Sequence, residues 1–477
     1  MSRSVVLGID SSTQSTKVVA VDLTTGEIAG EGRAPHSGED RQRPEDWWNA
    51  LLAATREAVS PDFNVEAIAA GGQQHGLVAL DEANQPVMPA SLWNNTAAAP
   101  DAERLNDEAD FAAEVGSRLV ASFTIAKVAH LARTDPEAMS RTSAICLPHD
   151  YLNLRLTGNL ATDRGDASGS GWWSPISGEQ RRDLLALACG DQNAQRLLLP
   201  DVRCPEQQAG SLHADAAKAL GLPDGIPVAA GTGDNMAAAL GIGAAPGELV
   251  ISLGTSGTAF MVSQTPTKDP SGEVCGFADA TGRFMPLACM LNCTRVLDVI
   301  AGMLGIERQE ALDRAGAVEP GADGLLLLPY FEGERTPNLP QSTGSLSGLR
   351  AASATPDLLL RAAIDGVAAG IAYCVDALCE VGITAPAATL VGGGSASPVW
   401  RQAIADATGL EIAVRGGGEH GARGAAIQAA AIVTNEPVAA VAARLRPEII
   451  SEIQPRPGTR AAFRLDERRQ LIDDIRR

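Results

Sequence analysis

Basic residues are in short supply in this sequence. Across 477 residues, 38 Lys and Arg stand against 58 Asp and Glu, a net charge of −20 at neutral pH. Such a field repels nucleic-acid phosphate and anionic lipid, so neither nucleic acid nor membrane is expected as a partner. Cysteine carries as little information. The eight are scattered, with no C-x-x-C pair and no neighbouring histidine at zinc-finger spacing, which excludes a disulfide framework or a structural zinc site. Cys289 and Cys293, like Cys374 and Cys379, read as reduced helix or core residues. No long hydrophobic run invites a membrane span: the stretch from Leu249 to Lys268 holds Gly254, Ser256, Gly257 and several threonines. Met1-Ser2-Arg3-Ser4 leads into a short apolar strand and then Asp10, without the length or cleavage site of a secretory signal, so the cytoplasm is the expected compartment. None of Lys17, Lys127, Lys218 and Lys268 follows a glycine, which excludes the lysine-bearing P-loop.

What is present is ordinary globular material, 45% hydrophobic and 20% charged, long enough for two large domains or three smaller ones. Apolar strand-like runs alternate with helical periodicity from end to end, which argues for α/β layers. One helix is predicted from Pro356 to about Glu380, with Leu360, Ile364, Val367, Ile371, Val375 and Leu378 on its apolar face and Gly366 and Gly370 where another backbone can approach. A second begins near Pro44, with Trp48, Leu51, Leu52 and Thr55 along one side. The acidic, Ala-rich segment from Asp101 to Glu114 reads as a solvated helix face.

An internal echo organises the chain. Val5 to Thr16, with the turn Ser11-Ser12-Thr13, is followed by a strand from Lys17 to Asp22; Leu249 to Thr258, with the turn Gly254-Thr255-Ser256, is followed by Ala259 to Val262. Thr13 and Thr255, and Thr16 and Thr258, share one offset of 242 residues. Two lobes of similar design are expected, 1–242 and 243–477.

Each echoing turn gathers backbone N–H groups and hydroxyls into one concavity, which suits phosphate. An ordinary polar hairpin is the competing reading for either turn alone, and two at matching positions outweigh it. Asp10, at the end of a buried strand, suits a hard cation such as Mg²⁺. A third signal is Thr389-Leu390-Val391-Gly392-Gly393-Gly394-Ser395, where glycines let a ring or phosphate reach the backbone. Gly416 to Gly421 satisfies G-x-G-x-x-G, but Glu436 lies in a polar connection rather than at a strand end, so this loop reads as nucleotide-lobe architecture and an NAD enzyme as a distant alternative. The sharpest chemical signal is Val228 to Met236, where an apolar strand delivers Asp234 into a glycine turn; a carboxylate there can take a proton from an alcohol attacking a phosphoryl group, or merely cap a helix. Gly71-Gly72-Gln73-Gln74-His75-Gly76 offers amides and an imidazole, groups suited to a polyhydroxyl ligand.

These segments resemble the FGGY carbohydrate kinases, and within them the members that act on D-xylulose. The resemblance runs from Gly8-Ile9-Asp10 to the loop near His420 and is carried by Gly72 to Gly76, Leu147 to Leu152, Thr162 to Gly169, Gly233-Asp234-Asn235, Ser252 to Gly257, and Gly333 to Pro337. It implies two actin-like, ribonuclease-H-like lobes with sugar and ATP in the cleft between them. On that resemblance Asp234 is the general base and Asp10 sits beside Mg²⁺. Ser12 and Thr13 face the transferred phosphate, Gly254 and Thr255 hold the β and γ phosphates, and Gly393 and Gly394 lie against the adenosine. Gln74, His75, Asn235, Trp93 and Asp166 serve the sugar. The sequence departs from the family at Asn95 and Ala97, where relatives have Asp and Arg, at His130, where they have Trp, and at Ser12, where many have Gly. A kinase for another ketose or polyol, or a non-catalytic actin-like regulator, stays open at this point, as does a homodimer.

Overall fold

The computed structural model describes residues 3–477. Strand β1 (Arg3–Ser11) forms an antiparallel hairpin with β2 (Ser15–Asp22), and β3 (Ile28–Pro35) extends it. Helix α1 (Pro44–Ala58) carries the chain over one face to β4 (Phe63–Gly72), which runs parallel to β1. A helical layer follows, including α2 (Ala99–Glu108), α3 (Thr124–Thr134) and α4 (Pro148–Thr157). Strands β5 (Gln208–Ser211), β6 (Pro227–Ala229) and β7 (Thr232–Gly233) complete a seven-stranded sheet in the order β5-β6-β4-β1-β2-β3, with β7 also paired to β4; α5 (Asp234–Gly241) starts where β7 stops.

The second half repeats the plan. Strands β8 (Leu249–Leu253) and β9 (Gly257–Met261) form a hairpin, extended by β10 (Cys275–Ala278) and β11 (Phe284–Met290). After α6 (Arg295–Leu304) and α7 (Pro356–Glu380), β12 (Ala387–Val391) lies parallel to β8. Helix α8 (Pro398–Thr408), strand β13 (Glu411–Arg415), helix α9 (His420–Thr434) and strand β14 (Ile449–Ile453) follow, and the sheet order is β10-β11-β9-β8-β12-β13-β14. The cores β3-β2-β1-β4-β6 and β11-β9-β8-β12-β13 share one pattern, a three-strand meander followed by two parallel strands, which is the ribonuclease-H-like design. The echo is therefore a structural repeat, although its constant offset does not survive in the pairing. Asp10 faces Lys17, whereas Ser252 faces Thr258, so the second turn is one residue tighter.

Both faces of β1 are covered, which is why Val5, Val6, Leu7 and Ile9 form an unbroken apolar run. Helices α1 and α4 share one core with Val5, Leu7 and Ile9. The opposite core, around Val6, takes in Ala422, Ala425 and Ala426 of α9, a helix from the second half of the chain. That approach demands glycine: a Cβ at Gly8 would stand 1.9 Å from the Ala422 carbonyl, and one at Gly424 only 1.7 Å from that of Ala237.

Helix α7 spans the predicted residues, capped by the Thr355 hydroxyl on the Leu358 N–H. It is long and apolar enough to cross a membrane, contrary to the reading that no segment qualifies, but it lies inside the second lobe with 78% of its apolar window buried. Gly366 meets the Leu327 carbonyl as expected of a close backbone, while Gly370 meets the Met290 side chain. In α1 the fully buried Trp47 is the main anchor and Leu52 is only half-buried. The acidic segment corrects a second expectation. Asp101 is 2% exposed because Arg133 and His130 of α3 both bind its carboxylate, and Ala102, Leu105, Phe111 and Val115 face the core. All eight cysteines are free, with Cys204 and Cys379 exposed.

Candidate active site

Three parallel strands of the first sheet end side by side. Gly71 of β4 is flanked by Asp10 on β1 and by Thr232 on β7, so Asp10, Gln73-Gln74-His75 and Asp234-Asn235 emerge from one edge, where α/β sheets collect ligands. The second sheet repeats this with β8, β12 and β13, which end at Gly254-Thr255, Gly392 to Ser395 and Gly416 to Gly421.

Asp10 is 8% exposed and accepts a hydrogen bond from the Ser12 hydroxyl at 2.7 Å. Burial pushes its carboxyl above the usual range; Ser12 and Lys17 oppose that rise and Glu419 adds to it. Asp234 opens α5, its Oδ1 accepting from the Asn235 N–H at 2.8 Å and the Asn235 side-chain amide at 2.9 Å. It is half-buried, and desolvation, then the like charges of Asp10 and Asp166, raise its carboxyl to about 7. A carboxylate poised there suits proton abstraction near neutral pH.

The polar groups around Asp234 are tied together. Asn235 also donates to Gln74 Oε1 at 2.9 Å, and its own Oδ1 accepts from the Thr258 hydroxyl of β9 at 3.1 Å. Gln74 lies across Gly233, where a Cβ would come within 2.7 Å of it. His75 has a left-handed backbone, φ 64°, and its ring stacks on Phe123 at 5.4 Å and meets Phe277 of the second lobe at 5.2 Å. Burial, with Lys127 and Arg335 nearby, lowers its pKa to about 3, so the ring is neutral and able both to donate and to accept.

Trp93 and Asp166 stand differently from the other three residues expected to serve the sugar. The Trp93 indole N–H is spent on Thr13 Oγ1 at 3.0 Å, so this side chain braces the turn Ser11-Ser12-Thr13. Asp166 is fully buried. Its Oδ2 bonds His149 Nδ1 at 2.8 Å, while Asp163 binds the Asp166 N–H and, at 2.7 Å, the Thr232 hydroxyl two residues before Asp234. The two charges that relatives carry near Trp93 are absent, yet a carboxylate is still close: Asn95 donates to Asp40 Oδ2 at 2.6 Å.

On the nucleotide side, Ser12 and Thr13 are half-buried in a turn closed by the Ser12 N–H on the Ser15 carbonyl. The second turn is pinned from behind, the Gly254 carbonyl accepting from the Thr294 N–H and hydroxyl and that of Thr255 from the Cys293 N–H, which leaves Thr255 exposed at the tip. Gly393 is exposed with open space at its Cβ position, room that a nucleotide ring can use. Gly394 is buried, where a Cβ would meet Leu253 and Thr294 at 2.8 and 2.9 Å; there the glycine serves strand and helix packing.

The loop Gly416 to Gly421, read from the sequence as nucleotide-lobe architecture, proves to pack on the first lobe, a contact that nothing local signals. A Cβ at Gly421 would lie 2.8 Å from Asp10 Oδ2, and Glu419 (φ 39°) pairs with Lys17 at 2.5 Å, so the loop Gly416 to Gly421 sits directly on Asp10. No group of three or more His, Cys, Asp or Glu forms a metal cage among the described residues. The donor set nevertheless fits a hard cation. Two carboxylates repel each other at the strand ends, the nearby ammonium is already paired, and Mg²⁺ typically takes one or two carboxylates and completes its shell from phosphate and water.

Comparison with known proteins agrees with this geometry. The N-terminal domain of the FGGY family of carbohydrate kinases matches residues 5–241, and its C-terminal domain matches 249–432. The chain is 46% identical to a xylulose kinase of Streptomyces rubiginosus over 448 residues, 92% of this chain and 90% of the relative, and 45% identical to one of Streptomyces coelicolor with the same coverage. It superposes on the crystal structure of xylulose kinase from Bifidobacterium adolescentis with a TM-score of 0.83 at 36% identity, covering 98% of this chain and 99% of that one.

Proposed function

The chain belongs to the FGGY family of carbohydrate kinases, and we propose that it transfers the γ-phosphoryl group of ATP to D-xylulose, forming D-xylulose 5-phosphate and ADP. The reading rests on one observation: Asp10, Asp234 and the bonded amides of Gln74 and Asn235 meet at adjoining parallel strand ends, in a chain alike over nine-tenths of its length to a xylulose kinase.

In this reading Gln74, His75 and Asn235 bind the ketose and set its 5-hydroxyl against Asp234. The hydroxyl oxygen attacks the γ-phosphorus, its proton passes to Asp234, and the bond to the bridging oxygen breaks as ADP leaves. The base contributes about 10²–10⁴-fold, and positioning with charge neutralisation supplies the rest. Ser12, Thr13, Gly254 and Thr255 cradle the phosphates, and Gly393 lies against the adenosine. Asp10 would hold Mg²⁺, which supplies charge neutralisation to the phosphates when bound. The lobes meet the substrates as 1–242 on the sugar side and 243–477 on the nucleotide side, with α9 of the second packed beneath the first. The proposal carries with it the cytoplasm as compartment and a homodimer as the assembly for a mass measurement to test.

The test is ADP release with Mg-ATP across D-xylulose, D-ribulose, L-ribulose, L-xylulose, glycerol and no sugar, with Asp234→Ala as control. Release that requires D-xylulose and falls about 10²–10⁴-fold in the variant is the expected result. Release indifferent to every acceptor would overturn the proposal.

A further inference from the structure

Lys127 is a buried cation that the chemistry above does not use. It lies on α3, 2% exposed, and burial alone acts on its ammonium, lowering its pKa to about 7, with no carboxylate to offset it. Holding an unpaired charge in a protein interior is costly, so such a group persists where something depends on it. Its Nζ donates to two backbone carbonyls, that of His75 at 3.0 Å and that of Ser122. The Thr124 hydroxyl donates to the same His75 carbonyl at 3.2 Å. That carbonyl belongs to a histidine at φ 64°, a conformation non-glycine residues adopt only when their surroundings impose it. The imidazole so placed is wedged between Phe123, four residues before Lys127, and Phe277 from the other lobe, with its Nδ1 edge against Gly169.

We propose that Lys127 is a positioning residue for the acceptor sugar: with Thr124 it locks the left-handed His75 backbone, so that the imidazole is already set for the ketose before the sugar arrives. This rests on the assignment of His75 to the sugar site. Two donors on one carbonyl turn a strained residue into a rigid one, and a preorganised partner saves the ordering cost at binding. The charge has a second effect. The groups that face His75 are Lys127 from α3, Arg335 from the segment between α6 and α7, and Asp166 from the turn at Arg164–Ala167; of the two cations Lys127 acts more strongly in keeping the ring neutral.

The experiment compares wild type, Lys127→Met and Thr124→Val in steady-state kinetics, and follows the His75 ring by NMR titration. For Lys127→Met the expected result is an increase of about tenfold in KM for D-xylulose with KM for ATP within about twofold, as loss of a charge-assisted hydrogen bond implies. The His75 titration moves upward, because a neighbouring cation is gone. Thr124→Val, which keeps the charge, raises KM for the sugar by a smaller factor and leaves the titration in place. Equal changes in both KM values together with an unmoved His75 titration would overturn the proposal, since that is what a purely structural lysine gives. Should Lys127→Met fail to fold, Thr124→Val decides alone, and an unchanged KM for the sugar overturns it. Wild-type protein inactive on D-xylulose would instead count against the parent assignment, and the His75 titration still reads the Lys127 contact.

Discussion

Thr258 of the second lobe donates its hydroxyl to Asn235 Oδ1 of the first at 3.1 Å. Asn235 in turn donates to both Asp234 and Gln74, so one bond joins the β8–β9 hairpin to the proposed base and to a proposed sugar-binding amide. Thr258→Val removes this link and keeps the shape. It is expected to lower kcat/KM for D-xylulose about 3- to 10-fold, the worth of one neutral hydrogen bond, with an unchanged melting temperature. An unaltered kcat/KM would show that the link is idle in turnover.

The pH profile follows from Asp234. Its carboxyl is raised to about 7 by burial and then by Asp10 and Asp166, and the base works only when deprotonated. The rate kcat/KM therefore falls as pH drops through about 7. Asp166→Asn removes one of the repelling charges, so the acid limb moves to lower pH; a limb that stays put would remove Asp166 from the account.

Stability should depend on pH through the buried cluster behind the site. His149 is raised to about 9 despite its burial, held up by Asp150, Asp166 and Asp163, and burial raises Asp150 to about 7. Both groups have folded pKa values above their unfolded ones, so the native state binds more protons and stability declines with rising pH. The His149 share is fully present below about 6.5 and is lost as pH rises through about 9. Thermal melts at pH 6, 7.5 and 9 should show a falling midpoint, and His149→Gln should flatten the fall. A midpoint that rises over this range would contradict the charged imidazole.

Adjacent glycines in the third loop should part company on substitution. Gly394→Ala places a methyl against Leu253 and Thr294 and is expected to cost about 1–3 kcal/mol in urea denaturation. Gly393→Ala meets nothing within 4 Å, so stability should change by less than about 0.5 kcal/mol while KM for ATP rises. Equal stability losses at both positions would contradict this division.

The resemblance in the motifs and the geometry of the strands reached the same two carboxylates by different routes. Asp10 was legible because it closes an apolar run before a Ser-Thr turn, and Asp234 because it follows an apolar run and a glycine turn; β1 carries the first, and α5 opens at the second directly after β7. The paired hairpins were legible for the same reason, and so was α7, whose apolar face repeats at helical spacing.

What the chain could not disclose locally was burial and partnership. Asp101 looks like one more surface acid until α3 brings Arg133 and His130 to it, and Asp166 looks like a pocket residue until His149 takes it inside the wall. Local pattern sets strands, turns and the chemistry at their ends, since backbone geometry and turn propensity act over a few residues. Tertiary packing alone decided that α9 crosses beneath the first sheet to lay Gly421 on Asp10, and that Phe277 closes on His75, because these contacts join residues hundreds of positions apart and arise only when both sheets bury their faces.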